Sequence, residues 1–179
     1  MDANVSQAEE QRYAELQRMA LDFARMGETA ELEKMLQAGI PVNLADEKGN
    51  TLLMLACYNG EAGTARVLLQ HGADPDRRND RGQTPLGGVA FKGYTEIVRL
   101  LVDAGADLHA DNGAGMKPVH FAAMFGRFDV VRLLEEYDAS LDGPAVSADG
   151  SRSGRRLMPA FARLVGRIRS LFRSGKLST

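Results

Sequence analysis

The sequence predicts an all-α fold: a stack of short helical hairpins, each resting on the next, followed by one separate amphipathic helix near the C-terminal end. Two observations predict the stack. Glycine recurs every 33 residues in three interleaved series: Gly27, Gly60, Gly93 and Gly126; Gly39, Gly72 and Gly105; Gly49, Gly82 and Gly115. Apolar residues keep the same interval: Met35, Leu68, Leu101 and Leu134; Leu53, Leu86 and Val119; and Val67, Leu100 and Leu133, the last series interrupted by Lys34 in the first unit. A third observation predicts the terminal helix. Leu157, Met158, Phe161, Leu164, Val165, Ile168, Leu171 and Phe172 recur at steps of 1, 3, 3, 1, 3, 3 and 1, one apolar stripe at helical spacing.

The elements follow in chain order. Ser6-Gln7-Ala8-Glu9 has the form of a capping box, in which hydroxyl and carboxylate satisfy each other's backbone amides, and helix can run from there to about Met26. Its polar residues, among them Glu9, Glu10, Arg12, Glu15 and Arg18, suit a solvent-facing N-terminal cap of the array. Further on, Thr84-Pro85 reads as a helix start, because threonine caps orphan amides and proline at the first helical position has none to cap. Gly93 separates two short apolar stretches. After it, Tyr94, Ile97, Val98, Leu100 and Leu101 form an amphipathic helix. Gly72 and Gly105 fall just past helix ends, where a left-handed backbone angle favours glycine. No helix of such a pair hides its apolar side alone, so neighbouring units must stack.

Aligned on this register, the units read D-E-K-G-N-T-L-L-M-L-A-C-Y-N-G from Asp46, N-D-R-G-Q-T-P-L-G-G-V-A-F-K-G from Asn79 and N-G-A-G-M-K-P-V-H-F-A-A-M-F-G from Asn112. Two of the stretches after them end in G-A-D, at Asp74 and Asp107. This pattern resembles the ankyrin repeat over about residues 14–141. The resemblance implies an ankyrin-repeat solenoid, with a β-turn finger and two antiparallel helices per unit and units at about 6–45, 46–78, 79–111 and 112–141. The chain departs from the pattern at its last unit, where Lys117 replaces threonine and Asp138 stands where glycine is expected, changes that suit a boundary near Leu141. It departs again in the third unit, where Gly87 takes the family's histidine slot and Gly88 comes next. Each glycine costs roughly 1 kcal/mol relative to alanine in a helix, so this helix is expected to be the weakest of the array.

Composition bounds the chemistry. Residues 1–141 hold 14 Lys+Arg and 22 Asp+Glu, a net of −8, and residues 142–179 hold 8 and 2, a net of +6. An acidic body with a basic tail suggests two units with different partners, and it disfavours nucleic acid as the ligand of the array. A single cysteine, Cys57, excludes an intramolecular disulfide framework; in an alanine-rich slot it reads as a buried inert thiol. The N-terminus lacks the basic and apolar regions of a secretory signal, so a cytoplasmic location is expected. His71, His109 and His120 read as structural rather than metal-binding, and the resemblance implies a bond from His120 to a neighbouring finger. Gly113-Ala114-Gly115 reads as a fingertip turn, since it lacks the lysine and strand context of a phosphate loop. No constellation supports an enzyme, a metal or a cofactor.

The expected activity is therefore protein binding. The resemblance places binding on a concave face of finger tips and first-helix surfaces. Its finger slots are Glu47, Lys48 and Asn50, then Asp80, Arg81 and Gln83, then Ala114 and Met116. The two slots before each helix–helix glycine add Met26 beside Arg25, Tyr58 with Asn59, Phe91 with Lys92, and Met124 with Phe125. Large apolar side chains there suit a binding groove, the alternative being that some turn inward and complete the core. Residues 142–154 read as a linker. In the tail beyond it, Leu157, Phe161, Leu164, Ile168, Leu171 and Phe172 with Arg163 and Arg167 suit any of three roles: docking on the array, lying on an anionic membrane surface as a peripheral anchor, or entering a partner's groove.

Overall fold

A computed structural model describes residues 6–141 of the chain. They form eight helices: α1 (Gln7–Met26), α2 (Thr29–Gln37), α3 (Leu52–Asn59), α4 (Ala62–Gln70), α5 (Pro85–Lys92), α6 (Thr95–Asp103), α7 (Pro118–Met124) and α8 (Phe128–Leu141). Residues up to Glu135 cluster as one compact unit, which holds the stacked helix pairs. Those from Glu136 onward belong to a second, of which 136–141 are described.

The helices of the first unit fall into two layers. The first helix of each pair packs on the first of the next, α1 on α3, α3 on α5 and α5 on α7, and the second helices do likewise, α2 on α4 and α4 on α6. The all-α stacked-hairpin architecture is as the repeat predicts. Two starts are as read: Ser6 and Glu9 form the capping box of α1, and the Thr84 hydroxyl accepts from the Gly87 amide at 3.2 Å; Thr51 caps α3 in the same way, its hydroxyl accepting from the Met54 amide at 3.1 Å.

The first three hairpin joints are each closed by the next unit. Gly27, Gly60 and Gly93 take left-handed backbone angles of +76°, +87° and +90°. Over them lie Glu61, Tyr94 and Arg127, each 34 residues further on and so close that a Cβ on the glycine would meet them at 2.1, 3.2 and 2.8 Å. The left-handed angle is what favours glycine at these joints; the covering side chains lie close but are flexible. Arg127 also donates from Nε to the Phe91 carbonyl at 3.1 Å.

The core runs along the contact between the layers, through Leu32, Leu36, Leu68, Ile97, Leu101, Val130, Val131 and Leu134. Polar groups inside it are paired: the Thr29 and Thr64 hydroxyls meet at 2.7 Å. The fingers are organised by an acceptor at their base. Asp46 Oδ1 accepts from the Lys48 and Asn50 amides, and Asn79 Oδ1 from the Arg81 and Gln83 amides, all at 3.0 Å. Finger bonds to finger through Asp80 N–H to the Lys48 carbonyl at 3.1 Å and Asn79 Nδ2 to Asn50 Oδ1 at 2.9 Å.

The third finger breaks this rule. Asn112 stands in register with Asp46 and Asn79 but turns inward and is buried. Its Oδ1 accepts from the Thr84 amide at 2.7 Å and the Thr84 hydroxyl at 3.0 Å, while Nδ2 donates to the Ala110 carbonyl at 3.0 Å. Asp111 takes over at the finger, accepting from the Gly113 amide at 2.8 Å. The Asn112 carboxamide occupies the space where a Cβ on Gly87 would stand, 2.1 Å from its Oδ1. Gly87 is therefore more than a loss of helix propensity: its missing side chain admits the group that ties the third finger to the helix before it.

Candidate protein-binding face

The first-helix layer has one side against the second helices and another that carries the residues just before each joint. There the structure leaves large apolar side chains in solvent. Met26 is 60% exposed, Tyr58 48%, Phe125 46% and Met124 38%, and Phe91 is half-buried. They come from consecutive helices that pack side by side, α1, α3, α5 and α7, so together they make a row across the array. Two contacts tie the row together: the Phe91 and Phe125 rings meet edge to face with centroids 4.4 Å apart, and Lys92 Nζ stands 4.3 Å over the Tyr58 ring. Exposed Met19, Leu16 and Tyr13 extend the apolar surface along α1.

The polar residues expected at this face divide into two groups. Glu47, Lys48, Asp80, Arg81 and Asn59 are exposed. Asn50 and Gln83 are half-buried and engaged in the fingers, Asn50 with Asp46 and Asn79, Gln83 with Asn79. Arg25 is held by Asp22 at 2.8 Å and Asp46 at 3.2 Å. Burial opposes ionisation of Asp46, but donors from Asn50 and Lys48, together with the Arg25 charge, outweigh it and leave the carboxyl below its ordinary pKa. Met116 is half-buried, and Ala114 holds a positive φ of 54° at the tip of the third finger.

The remaining candidates for chemistry are accounted for structurally. Cys57 is buried, and that burial pushes its thiol far above its ordinary pKa. His120 Nδ1 accepts from the Lys117 amide of its own unit at 3.1 Å, in place of the bond to a neighbouring finger that the resemblance implied. Burial, then the Lys117 charge, lowers its pKa, consistent with that acceptor role. His71 Nε2 lies 3.7 Å from Glu33, and His109 Nδ1 3.3 Å from Lys117 Nζ. Among the described residues no cluster of His, Cys, Asp or Glu could hold a metal ion, and no helix is long and apolar enough to cross a membrane. The tail residues Leu157, Phe161, Arg163, Leu164, Arg167, Ile168, Leu171 and Phe172 lie outside the described residues.

What the sequence reading missed is Asn112. The signal that could have found it was Asp111 directly before it, a second short acid able to serve the finger, together with glycine in the facing slot of α5.

Comparison with known proteins agrees with this geometry. The family profile described as ankyrin repeats (3 copies) matches residues 21–112 and 72–145. A Pseudomonas aeruginosa protein described as an ankyrin repeat protein is 52% identical over 46 residues, a stretch covering 26% of this chain and 27% of that protein.

Proposed function

From the premise that the chain belongs to the ankyrin-repeat family, whose arrays generally mediate protein–protein interaction, we propose that it is a non-enzymatic interaction module holding a protein partner on its first-helix and finger face. One observation carries this reading: every unit places a large apolar side chain, in solvent or half in it, at the slots before its joint, from Met26 through Tyr58 and Phe91 to Met124 and Phe125. Large exposed apolar patches of this kind mark binding sites, and aromatic residues supply most of their binding energy. Exposed Glu47, Lys48, Asp80 and Arg81 at the finger tips make a polar rim on one side of the row.

The test is affinity capture with the full chain as bait, wild type against the double variant Phe91→Ala/Phe125→Ala. Loss of the captured partner with the melting temperature nearly unchanged supports the reading. A melting temperature many degrees lower assigns the two rings to the core, and unchanged capture moves the binding site elsewhere.

A further inference from the structure

The described methionines are sorted by place. Met54 lies in the core at α3, 7% exposed, while Met35 in α2 and Met116 in the third finger are half-buried. Met19, Met26 and Met124 stand in solvent, at 47%, 60% and 38%, and all three belong to first helices. Met19 and Met26 lie two turns apart on one side of α1. Met26 and Met124 come from the first and last helices of the row that runs through Tyr58 and Phe91. The one cysteine, Cys57, is fully buried. Among the described residues, the sulfur most open to solvent is therefore on the face proposed for binding. Oxidation of a thioether turns a flexible apolar side chain into a polar one.

We infer that Met19, Met26 and Met124 form an oxidative modification site that controls this face: hydrogen peroxide converts them to sulfoxides, and the bound protein is released while the array stays folded. This rests on the proposed use of the same face. The step is a two-electron oxygen transfer. A sulfur lone pair attacks one peroxide oxygen, the O–O bond breaks and an S–O bond forms. The departing hydroxide takes the proton of the transferred hydroxyl and leaves as water. The new oxygen is a strong hydrogen-bond acceptor, and an apolar contact closed over it would bury it unpaired. The fold is spared because Met54, the methionine packed in the core, is shielded. Tyr58, Phe91 and Phe125 carry no sulfur, so the row is altered at its ends and keeps its middle. Return requires a methionine sulfoxide reductase, which removes the oxygen as water while two of its thiols join in a disulfide.

The experiment uses the full chain and a probe peptide selected on it from a display library. A peptide is kept only if Phe91→Ala/Phe125→Ala abolishes its binding with the melting temperature nearly unchanged. The full chain is then partly oxidised with hydrogen peroxide and passed over the immobilised peptide. Sulfoxide is mapped by peptide mass spectrometry in the retained and unretained fractions. The expected result is sulfoxide at Met19, Met26 and Met124 in the unretained fraction, little at these positions in the retained one, and Met54 unmodified in both. Protein carrying the three sulfoxides should melt as before, bind the peptide at least about tenfold more weakly, and recover its affinity on treatment with methionine sulfoxide reductase. Equal sulfoxide at the three positions in both fractions overturns the inference and leaves the face standing. Loss of binding that comes with a lower melting temperature, or with sulfoxide at Met54, also overturns it, because damage to the core is then the cause. A library that yields no peptide dependent on the two rings overturns the face, and the inference with it.

Discussion

In α3 every residue from Thr51 to Cys57 is buried, and four of the seven are leucine or methionine. In α5, one repeat on, the slot matching Met54 is Gly87, and the space is filled from outside by a carboxamide, Asn112 of the next finger. The two helices share a register, a threonine cap and a left-handed glycine at the end. They differ in what holds them to the next unit. Interdigitated apolar side chains spread their contribution over many small contacts. The α5 junction concentrates it in one buried polar group whose hydrogen bonds must all be made. The interval of 33 residues therefore sets where helices lie, while the means of joining them is exchangeable from one unit to the next.

The sharpest way to break this comparison is Asn112→Ala. It leaves the buried Thr84 amide and hydroxyl without their acceptor and opens a cavity, so stability should fall by about 3 kcal/mol in urea denaturation. A loss no larger than that of an average surface substitution would mean the junction does not depend on this group.

Gly87→Ala is next. Alanine is the better helix former, yet its Cβ displaces the Asn112 carboxamide, so the variant should lose about 2 kcal/mol. Combined with Asn112→Ala, the methyl has space, and the double variant should lose less than the sum of the singles.

The two threonine caps sharpen the contrast further. Thr51→Ala should lose about 1 kcal/mol as an N-cap. Thr84→Ala should lose more, because the Thr84 hydroxyl also donates to Asn112.

Asp46 gives the smallest effect. Its pKa is depressed in the folded chain, so its contribution is present above the ordinary carboxylate range and disappears as pH falls through the folded value. Asp46→Asn should lower stability by under about 1 kcal/mol at pH 7, with the difference from wild type closing below about pH 4.

The division between the two helices also governs how much was legible in the sequence. Helix starts at Ser6 and Thr84 and the joints at Gly27, Gly60 and Gly93 could be read, because capping chemistry and left-handed backbone angles depend on the residue in place. The exposed row could be placed by register, though the pairing of Phe91 with Phe125 across two helices could not. The inward turn of Asn112 was hidden for a sharper reason: the same residue type at Asn79 serves its own finger, and only the neighbours, Asp111 and Gly87, separate the two outcomes. Local chemistry is readable one residue at a time, whereas a contact between units depends on two distant slots at once.

The closing of the first three joints by a residue 34 positions later has a consequence for how such a chain can change length. Glutamate, tyrosine and arginine all serve as lids, because the glycine beneath asks only for something to rest on it. Excising 28–60 would bring Tyr94 onto Gly27 and keep Gly87 facing Asn112. Whole-period gains and losses are thus open to the lineage, whereas any other increment puts the lid of the interval it falls in out of step with its glycine.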